Sequence, residues 1–273
     1  MKNIVFYLFL VQIYLPMFGQ EKDTINSSPY DFSFKKEVPF IATSITALIG
    51  SVLIKNNNDS QPFTDYELTQ LDRNDVNSFD RSATYNYNPN AAEASDVLKF
   101  GVVIFPALFL VNKHTRKDIK GLALLTVEVV SINWGITNST KYLVNRTRPY
   151  VYNETTPTSV KKDNQSRLSF FSGHVSHTAA VSFLFAKVMT DYNPDMSTKY
   201  KVGLWSVAAL VPATTAYLRV RSGKHFPTDV MFGYGIGATI GWLIPHLHKI
   251  KSPIRLSSYS FQDANGVSVS YLF

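Results

Sequence analysis

The residues best suited to chemistry lie in three clusters within an otherwise apolar stretch of the 273-residue chain. Cations of these clusters can hold the unesterified oxygens of a phosphate, while one imidazole attacks phosphorus and another protonates the departing oxygen. The clusters therefore predict phosphoryl chemistry. Their members are Lys141 and Arg148, then Ser172, Gly173 and His174, and then Arg219, His225 and Asp229.

Lys141 and Arg148 form the first cluster. They are seven residues apart, so on a continuous helix they would lie two turns apart on one face. Pro149 follows at once and indicates that a helix ends at or before Arg148. Taken alone, the pair also fits an ordinary basic helix end that complements the helix dipole. Arg146 has no required role in this pattern, and we expect it to be solvated or to face lipid headgroups.

The second cluster stands directly before an apolar helical run. The free backbone N–H groups and the positive dipole of a helix N-terminus accept an anion. Gly173 lets the backbone approach a phosphate closely, the Ser172 hydroxyl can donate to it, and His174 would lie beside it. A serine at this place is also an ordinary helix cap, and these three residues alone leave that alternative open.

The third cluster contains a histidine and an aspartate at helical spacing. His225 and Asp229 are four residues apart, so the carboxylate can accept the imidazole N–H and leave the other ring nitrogen basic. That arrangement follows the logic of nucleophilic triads, with the histidine itself as the nucleophile. A surface His-Asp pair is the alternative on this spacing alone. Arg221 and Lys224 have no required role and raise the local potential.

Helices must position these clusters, because apolar segments of helical length recur along the chain. The prediction is an all-α bundle of about five or six apolar helices. The polar stretch from Lys55 to Asp96 is a long connection, with a short helix in TDYELTQLDR. The apolar segments are Val38–Ile54, Val97–Val111, Gly121–Ile136, Val175–Met189, Val202–Leu218 and Val230–Ile250.

The C-terminal tail has a different pattern from the helical segments. IRLSSYSF and VSVSYLF alternate with a period of two around QDANG. Asn265-Gly266 is a strong signal for a two-residue hairpin turn. We therefore expect residues 251–273 to form a β-hairpin that packs on the helical body.

Charge placement favours embedding of the bundle in a membrane. A mean hydropathy of −0.04 is low for six spans, and several segments are short of the roughly 20 residues a span needs. The basic segment Lys113–Lys120 and the later HLHKIK would both lie in the cytoplasm by the positive-inside rule. Alternation then places all three clusters on the opposite, periplasmic face of a bacterial-type inner membrane. A soluble periplasmic bundle is the alternative.

The first 20 residues are predicted to be a secretory signal peptide, because Lys2 precedes a long apolar run and a polar stretch follows. An uncleaved membrane anchor is the alternative. A cleaved signal would leave the new N-terminus outside, and a spanning Val38–Ile54 would then invert every later helix. Either Val38–Ile54 does not cross the membrane or the N-terminal run is not cleaved, and the sequence does not decide between them.

Overall composition narrows the range of partners. The net charge is +7, which favours anionic partners such as phosphorylated substrates and lipid headgroups. Nucleic acid is not expected as a partner, because basic residues do not form a stripe with interleaved aromatics. The chain has no cysteine, which excludes disulfides and thiolate metal sites.

In this order, the three clusters resemble the type 2 phosphatidic acid phosphatase (PAP2) superfamily, which includes bacterial class A acid phosphatases and vanadium haloperoxidases. The family's first motif, a lysine, six residues and Arg-Pro, matches Lys141, Arg148 and Pro149. Its second motif, Pro-Ser-Gly-His, matches at Ser172–His174 but has Phe171 in place of proline.

The third family motif is Ser-Arg, five residues, a histidine, three residues and an aspartate. It matches Arg219, His225 and Asp229, with Leu218 where serine is usual. The two departures fall at positions that shape the phosphate rim, so they bear on substrate preference more than on the chemistry. The resemblance covers Lys141–Gly241, within an expected core of residues 97–250 that follows an N-terminal segment of residues 21–96.

The resemblance implies a mechanism without a metal or other cofactor. His225 would attack phosphorus to give a phosphohistidine, Asp229 would orient the ring, and His174 would protonate the leaving oxygen and then activate water. Cations would supply the charge stabilisation that metal ions give elsewhere. The residues implied to hold the phosphoryl oxygens are Lys141, Arg148, Ser172, Gly173 and Arg219.

The expected substrate depends on where the bundle lies. A pocket that opens on the outer face of a membrane favours phosphate monoesters or pyrophosphates of lipids, whereas a soluble bundle favours a non-specific acid phosphatase. The resemblance also admits a vanadium-dependent haloperoxidase, and a non-catalytic lipid-phosphate binder would use a similar pocket. Both are less favoured. The signal peptide and short helices do not argue for the haloperoxidase, and a binder would tolerate loss of either histidine, whereas both are present with Asp229.

Overall fold

The computed structural model describes residues 28–58, 60–250, 254–261 and 264–271. The proposed signal peptide in residues 1–20 lies outside the described residues. Within them the protein is mostly helical. The helices are α1 (Phe34–Asn57), α2 (Asp65–Thr69), α3 (Ser78–Arg81), α4 (Pro89–Gly101), α5 (Ile104–Ala107), α6 (Lys113–Arg116), α7 (Ile119–Val144), α8 (Thr158–Lys161), α9 (Gly173–Tyr192), α10 (Thr198–Arg221) and α11 (Pro227–His248). Short 3-10 turns occupy Arg73–Asp75, Ser82–Tyr85, Leu108–Leu110 and Pro149–Tyr152.

Five of the six predicted apolar segments lie in the long helices α1, α7, α9, α10 and α11. The sixth apolar segment, Val97–Val111, is not one continuous helix. Helix α4 begins earlier, where the Asn88 side chain accepts the Ala91 N–H at 3.0 Å, and it ends at Gly101. Glycine weakens a helix and Pro106 has no N–H to donate, so the chain continues as the short helix α5 and a 3-10 turn.

Helices α9 and α11 pack backbone to backbone through a stripe of glycines. Gly233, Gly237 and Gly241 are spaced four residues apart on one face of α11. A Cβ atom at Gly233 would lie 2.6 Å from the carbonyl oxygen of Ser172, and one at Gly237 would collide with the carbonyl oxygen of Ser176. The stripe therefore fixes the start of α11 beside the start of α9, where two of the three clusters lie.

A buried apolar core joins helices α7, α9 and α11 at the end away from these clusters. Leu122, Leu125 and Val129 from α7 pack there with Leu184 from α9 and Ile244 from α11. Helix α1 lies against the outside of α7, where a Cβ at position 135 would come within 2.6 Å of a backbone atom of α1. The core sets the positions of three helices whose other ends carry the site.

Among the residues that the structure describes, three helical stretches are long and apolar enough to cross a membrane by length and composition: Phe34–Asn57, Ile119–Tyr152 and Pro227–His248. Large apolar side chains on their outer faces are exposed, including Ile49 and Leu53 on α1 and Met231 and Phe232 on α11. Contiguous apolar surface of this kind marks a face that contacts lipid or another protein.

Two antiparallel strands follow the helices, β1 (Ile254–Phe261) and β2 (Ala264–Tyr271). Phe261 pairs with Ala264, so the connection between the strands precedes Asn265. The prediction of a turn at Asn265-Gly266 is therefore wrong: both residues lie inside β2, and Gly266 is opposite Tyr259. That the hairpin packs on the helical body stays a prediction.

Candidate active site

Lys141 and Arg148 do not share a helix. Helix α7 ends at Val144, and Asn145 has a positive φ of 49°, a left-handed conformation that asparagine tolerates at a helix end. The chain then turns, and the Arg148 backbone N–H donates to the Ser166 carbonyl oxygen at 2.8 Å. The helix thus ends before Arg148, as Pro149 indicates, and a turn rather than helical periodicity sets the position of the arginine.

The side chains of Lys141 and Arg148 are held by carbonyl oxygens. Lys141 Nζ donates to the Leu168 carbonyl at 2.8 Å. The Arg148 side chain is buried, and it donates to the carbonyls of Gln165 at 2.7 Å and Lys224 at 3.2 Å. Carbonyl oxygens orient a cation without cancelling its charge. The two residues therefore keep a positive potential that favours an anionic ligand.

The second cluster forms the N-terminus of α9. Ser172 is the N-cap residue by position, but its side chain makes no capping bond, and its fully buried Oγ has no hydrogen-bond partner among the described residues. Its backbone N–H donates to the Asp229 carbonyl oxygen at 3.0 Å. Gly173 follows, and a Cβ there would lie 3.7 Å from Lys141 Cε. The hydroxyl of Ser172 is therefore not used as a helix cap and is free to donate to a ligand.

His225 is buried between the ends of α10 and α11. Its Nδ1 lies 2.7 Å from the Ser169 carbonyl oxygen. A carbonyl can only accept, so Nδ1 carries the proton, and the neutral ring presents an unprotonated Nε2. The prediction that Asp229 accepts this N–H is wrong, because its nearer oxygen lies 3.7 Å from Nδ1. The ring therefore has the expected tautomer with an unprotonated Nε2, but a backbone carbonyl rather than the Asp229 carboxylate orients it.

The surroundings of His225 favour the neutral ring. Burial, followed by the positive charges of Arg148, Lys141 and Arg219, holds the pKa of the His225 imidazole well below its usual value. A neutral imidazole with a free nitrogen is the nucleophilic form. The same three cations that would bind phosphoryl oxygens therefore also keep His225 able to attack.

Asp229 organises the groups around His225. Its Oδ2 accepts from Ser169 Oγ at 2.5 Å and from the Phe226 backbone N–H at 2.8 Å. Its Oδ1 accepts from Arg146 Nη1 at 2.5 Å. Ser169 supplies the carbonyl that holds His225, so Asp229 positions the imidazole through Ser169.

Arg146 is part of this structure, and the expectation that it is solvated or faces headgroups is wrong. Its guanidinium bridges two carboxylates that are fully buried, Asp229 and Asp80, with a distance of 2.8 Å from Nη2 to Asp80 Oδ2. It also donates to Thr228 Oγ1 at 2.9 Å and stacks on the Phe226 ring, 4.1 Å from its centroid. Arg146 therefore joins α3 to the start of α11.

Asp80 was not predicted, because it lies in the polar connection. It accepts from the backbone N–H and the hydroxyl of Thr228, from Arg146 and from Asn77. Burial acts to raise the pKa of the Asp80 carboxyl, but the bonds from Thr228, Arg146 and Asn77 outweigh it and lower the pKa. Nothing in the local sequence around Asp80 signals this contact, which closes over 66 residues of chain.

His174 and Arg219 meet a second residue that was not predicted, Asp96 on α4. His174 Nε2 lies 2.6 Å from Asp96 Oδ1, and Arg219 Nη1 lies 3.7 Å from the same oxygen. Arg219 also donates to Ser95 Oγ at 3.2 Å. Asp96 therefore faces the imidazole that would carry the proton, and it partly balances Arg219. All eight predicted site residues lie at this one end of the helices.

The site thus consists of a buried imidazole and three nearby cations at one end of a helical bundle. The model of the PAP2 superfamily matches residues 100–252, more than half of the chain. The chain belongs to the PAP2 superfamily. The resemblance of the three motifs is thereby confirmed at the level of the family.

Several curated proteins are similar to this chain. An undecaprenyl-diphosphatase of Sulfolobus acidocaldarius is 30% identical over 50% of this chain and 58% of its own length. A decaprenylphosphoryl-5-phosphoribose phosphatase of Mycobacterium tuberculosis is 33% identical over 38% of this chain and 49% of its own. Phosphatidylglycerophosphatase B of Bacillus subtilis is 31% identical over 30% and 39%. The chain thus spans about half the length of the curated relatives it matches.

Among solved structures, a transmembrane PAP2 type phosphatidylglycerolphosphate phosphatase from Bacillus subtilis is similar. It aligns with a TM-score of 0.46 and 20% identity, over 77% of this chain and 94% of its own.

Proposed function

We propose that this protein is a membrane phosphatase that hydrolyses phosphate monoesters or diphosphates of lipids through a phosphohistidine on His225. The observation that carries the proposal is the His225 imidazole, which is buried, donates Nδ1–H to a carbonyl and is held neutral by burial and the charges of three nearby cations. The names of the three relatives, all phosphatases of lipid-linked phosphates, support the same reading.

In the first half of the reaction, Nε2 of His225 forms a bond to phosphorus while the bond from phosphorus to the leaving oxygen breaks. Lys141, Arg148 and Arg219 hold the phosphoryl oxygens and stabilise the charge of the transition state. The Ser172 hydroxyl and the backbone N–H of Gly173 add two donors at the start of α9.

His174 transfers the proton in both halves of the reaction. As the ester bond breaks, protonated His174 gives its proton to the leaving oxygen. The neutral imidazole then takes a proton from water, the hydroxyl oxygen bonds to phosphorus, and the bond to His225 breaks to release phosphate. Burial and then the charge of Arg219 lower the pKa of the His174 imidazole, and the Asp96 carboxylate, 2.6 Å away, opposes them by favouring the protonated form.

A lipid substrate fits the surroundings of the site. The basic segment around Lys120 and the site residue Lys141 lie at opposite ends of α7, 21 residues or about 30 Å apart, which is the thickness of a bilayer core. With the basic end in the cytoplasm, the site opens on the periplasmic face, at the depth of lipid headgroups. The exposed apolar side chains of α1 and α11 then face lipid.

The test is capture of the covalent intermediate on detergent-solubilised full-length protein. A substrate carrying labelled phosphate is mixed with the enzyme and quenched within milliseconds, and the protein-bound label is tested for the acid lability and alkali stability of a phosphohistidine. His225→Ala should carry no label and should lose at least about 1,000-fold in kcat. Wild-type activity in His225→Ala would contradict the assignment of the nucleophile.

A substrate panel tests the substrate class. Lipid diphosphate, lipid monophosphate and a water-soluble phosphomonoester are compared by kcat/KM at equal detergent. A preference for both lipids supports the proposal, and equal rates on all three together with release of the protein by carbonate wash would favour a soluble acid phosphatase. Vanadate-dependent bromination without phosphatase activity would indicate that the protein is a haloperoxidase and not a phosphatase.

A further inference from the structure

A second cluster of chemically active side chains lies at the other end of the bundle from the candidate active site. Glu37 comes from the first turn of α1, Glu128 from α7, and His248 is the last residue of α11. Their ligand atoms all lie within 4.8 Å of one another, and all three side chains are at most 1% exposed. Three separate helices thus bring two carboxylates and an imidazole to one buried point.

These groups do not satisfy one another by hydrogen bonds. Both oxygens of Glu37, both oxygens of Glu128 and Nε2 of His248 have no hydrogen-bond partner within the described part of the chain. His248 Nε2 lies 3.3 Å from Glu128 Oε2, but this contact lacks the alignment of a hydrogen bond. Buried polar groups in proteins are almost always partnered, so five such atoms facing one point need a ligand.

The tautomer of His248 prepares it to bind a metal. Its Nδ1 lies 2.8 Å from the Ile244 carbonyl oxygen, which can only accept, so Nδ1 carries the proton. When Nε2 carries no proton, its lone pair faces the two glutamates. A carbonyl that fixes one ring nitrogen while the other faces a metal is the usual outer arrangement of metal-binding histidines. The Phe40 ring lies against the imidazole, with centroids 4.1 Å apart, and holds its plane.

The distances fit a small divalent cation. A metal with bonds of about 2.0–2.1 Å in a tetrahedral shell places neighbouring ligand atoms about 3.3 Å apart. His248 Nε2 is 3.3 Å from Glu128 and 3.6 Å from Glu37. The two ionised carboxylates carry two negative charges that are buried together, and a divalent cation cancels both.

We propose that Glu37, Glu128 and His248 bind a divalent first-row metal ion that ties α1 to α7 and α11. The mixed nitrogen and oxygen set suits Zn²⁺ or Mn²⁺, whereas Mg²⁺ prefers oxygen ligands alone and keeps its waters. The ion stabilises the fold and takes no part in hydrolysis. Glu128 precedes Lys141 by 13 residues, about 20 Å along α7, and His248 follows Asp229 by 19 residues, about 28 Å along α11.

The chain around this cluster is arranged to keep it closed. The Asp31 backbone N–H donates to the carbonyl oxygen of His248 at 2.8 Å, and the Ile250 N–H donates to Pro29 at 3.0 Å. The segment before α1 therefore lies across the end of α11. A metal would connect the first described helix to the last, so its loss should loosen α1 first.

The experiment uses tag-free, full-length protein in detergent, because affinity tags made of histidines bind the same metals. Metal content is measured by mass spectrometry as purified. After chelation, ZnCl₂, MnCl₂ and MgCl₂ are titrated separately while the melting temperature is followed, and CoCl₂ is used as a spectroscopic probe. We expect about one Zn²⁺ or Mn²⁺ per chain, a rise in Tm of roughly 5 °C on reloading, and visible absorption bands with Co²⁺.

The variants are Glu128→Gln, which keeps the shape of the side chain, and His248→Gln, which replaces the ring by an uncharged amide; both weaken metal affinity. Each should reduce affinity for Zn²⁺ by about 100-fold or more. His246→Gln is the matched control, because this histidine is exposed and lies two residues away on the same helix. If His248→Gln does not fold, Glu128→Gln alone decides the question.

Two results would overturn the metal site. One is wild-type protein that binds none of these cations more tightly than about 100 μM and whose melting temperature does not change on chelation. The other is a Zn²⁺ affinity of the variants equal to that of His246→Gln. The phosphatase rate is a separate readout: chelated protein that is kept cold should retain its initial rate, so failure of the metal site leaves the proposed function untouched.

Discussion

Replacement of Arg146 by methionine tests how the structure supports the active site. Methionine keeps much of the apolar contact with Phe226 but leaves Asp80 and Asp229 without their shared cation. Removal of one partner from a buried ion pair costs about 3–5 kcal/mol. Arg146 is 24% exposed, and both carboxylates keep other donors, so we expect about 2–3 kcal/mol of lost unfolding free energy.

The same change should lower kcat. Asp229 fixes Ser169, whose carbonyl orients His225, and a shift of about 1 Å at a reacting group can cost roughly 100-fold. We expect kcat to fall by about 10- to 100-fold with a smaller change in KM. The assays are denaturant unfolding in mild detergent and steady-state phosphatase kinetics.

Arg73→Met is the matched control. Arg73 is 27% exposed, pairs with Glu154 and stacks on Tyr85, so it makes the same kinds of contact as Arg146. Glu154 is 86% exposed, and an exposed pair contributes about 0–1 kcal/mol. The control should therefore lose little stability and keep its kcat.

The pH dependence of the unfolding free energy gives a further check on the Arg146→Met prediction. The lowered pKa of Asp80 contributes stability that is present above the ordinary carboxyl pKa of about 3.9 and is lost as the pH falls through the folded value. The difference between wild type and Arg146→Met should thus be largest near pH 7 and shrink below about pH 4. A combined Arg146→Met, Asp80→Asn variant should be less destabilised than the sum of the two changes, by about 1 kcal/mol.

Two outcomes would refute this reasoning. Loss of stability no greater than in Arg73→Met would mean that the two carboxylates do not depend on Arg146. A kcat within twofold of wild type would mean that Asp229 and Ser169 keep His225 in place without the guanidinium.

Three further predictions concern single site residues. Ser172→Ala should lower kcat by about 100-fold without loss of stability, because the buried hydroxyl of Ser172 has no partner in the described structure. Ser182 on α9 is equally buried and unpartnered, so Ser182→Ala should change neither kcat nor stability. Burial and then Arg148 lower the pKa of Lys224 to about 8, so its positive charge is lost as the pH rises through 8. KM should rise from pH 7 to pH 9 in wild type and stay flat in Lys224→Gln, and an equal rise in both would assign it to another group. Asp96→Asn should move the basic limb of the pH profile of kcat/KM to lower pH, because protonated His174 loses its anionic partner; an unmoved limb would remove Asp96 from the proton transfer.

Local signals in the sequence were enough for much of the helical frame. Apolar runs predicted α1, α7, α9, α10 and α11, because the apolar residues of each long helix are all contained in its own segment of sequence. Thr64 and Glu67 form a capping box at α2, within the short helix expected in the polar connection. The region after Gly101 was not predicted, because a glycine and Pro106 outweighed its apolar composition.

The residues of the site likewise divide into those that local sequence signals predicted and those that they did not. The types and spacing of its cations and histidines predicted which residues gather at one end of the bundle, because each cluster stands at the start or end of an apolar helical segment. The orientation of His225 by Ser169 was not predicted, since a backbone carbonyl leaves no mark in side-chain spacing. Asp96 was missed for another reason: it approaches His174 across 78 residues of chain.

The sequence by itself determined the family, most of the helical segments and the set of cations and imidazoles that we propose to hold and attack a phosphate, because these follow from residue type and local periodicity. Tertiary structure alone decided which buried charges are balanced. Arg146 meets its two carboxylates across 66 and 83 residues, and Glu37, Glu128 and His248 come from three different helices. A buried charge needs a partner wherever the fold can supply one, and only the packing of the helices shows where that partner lies.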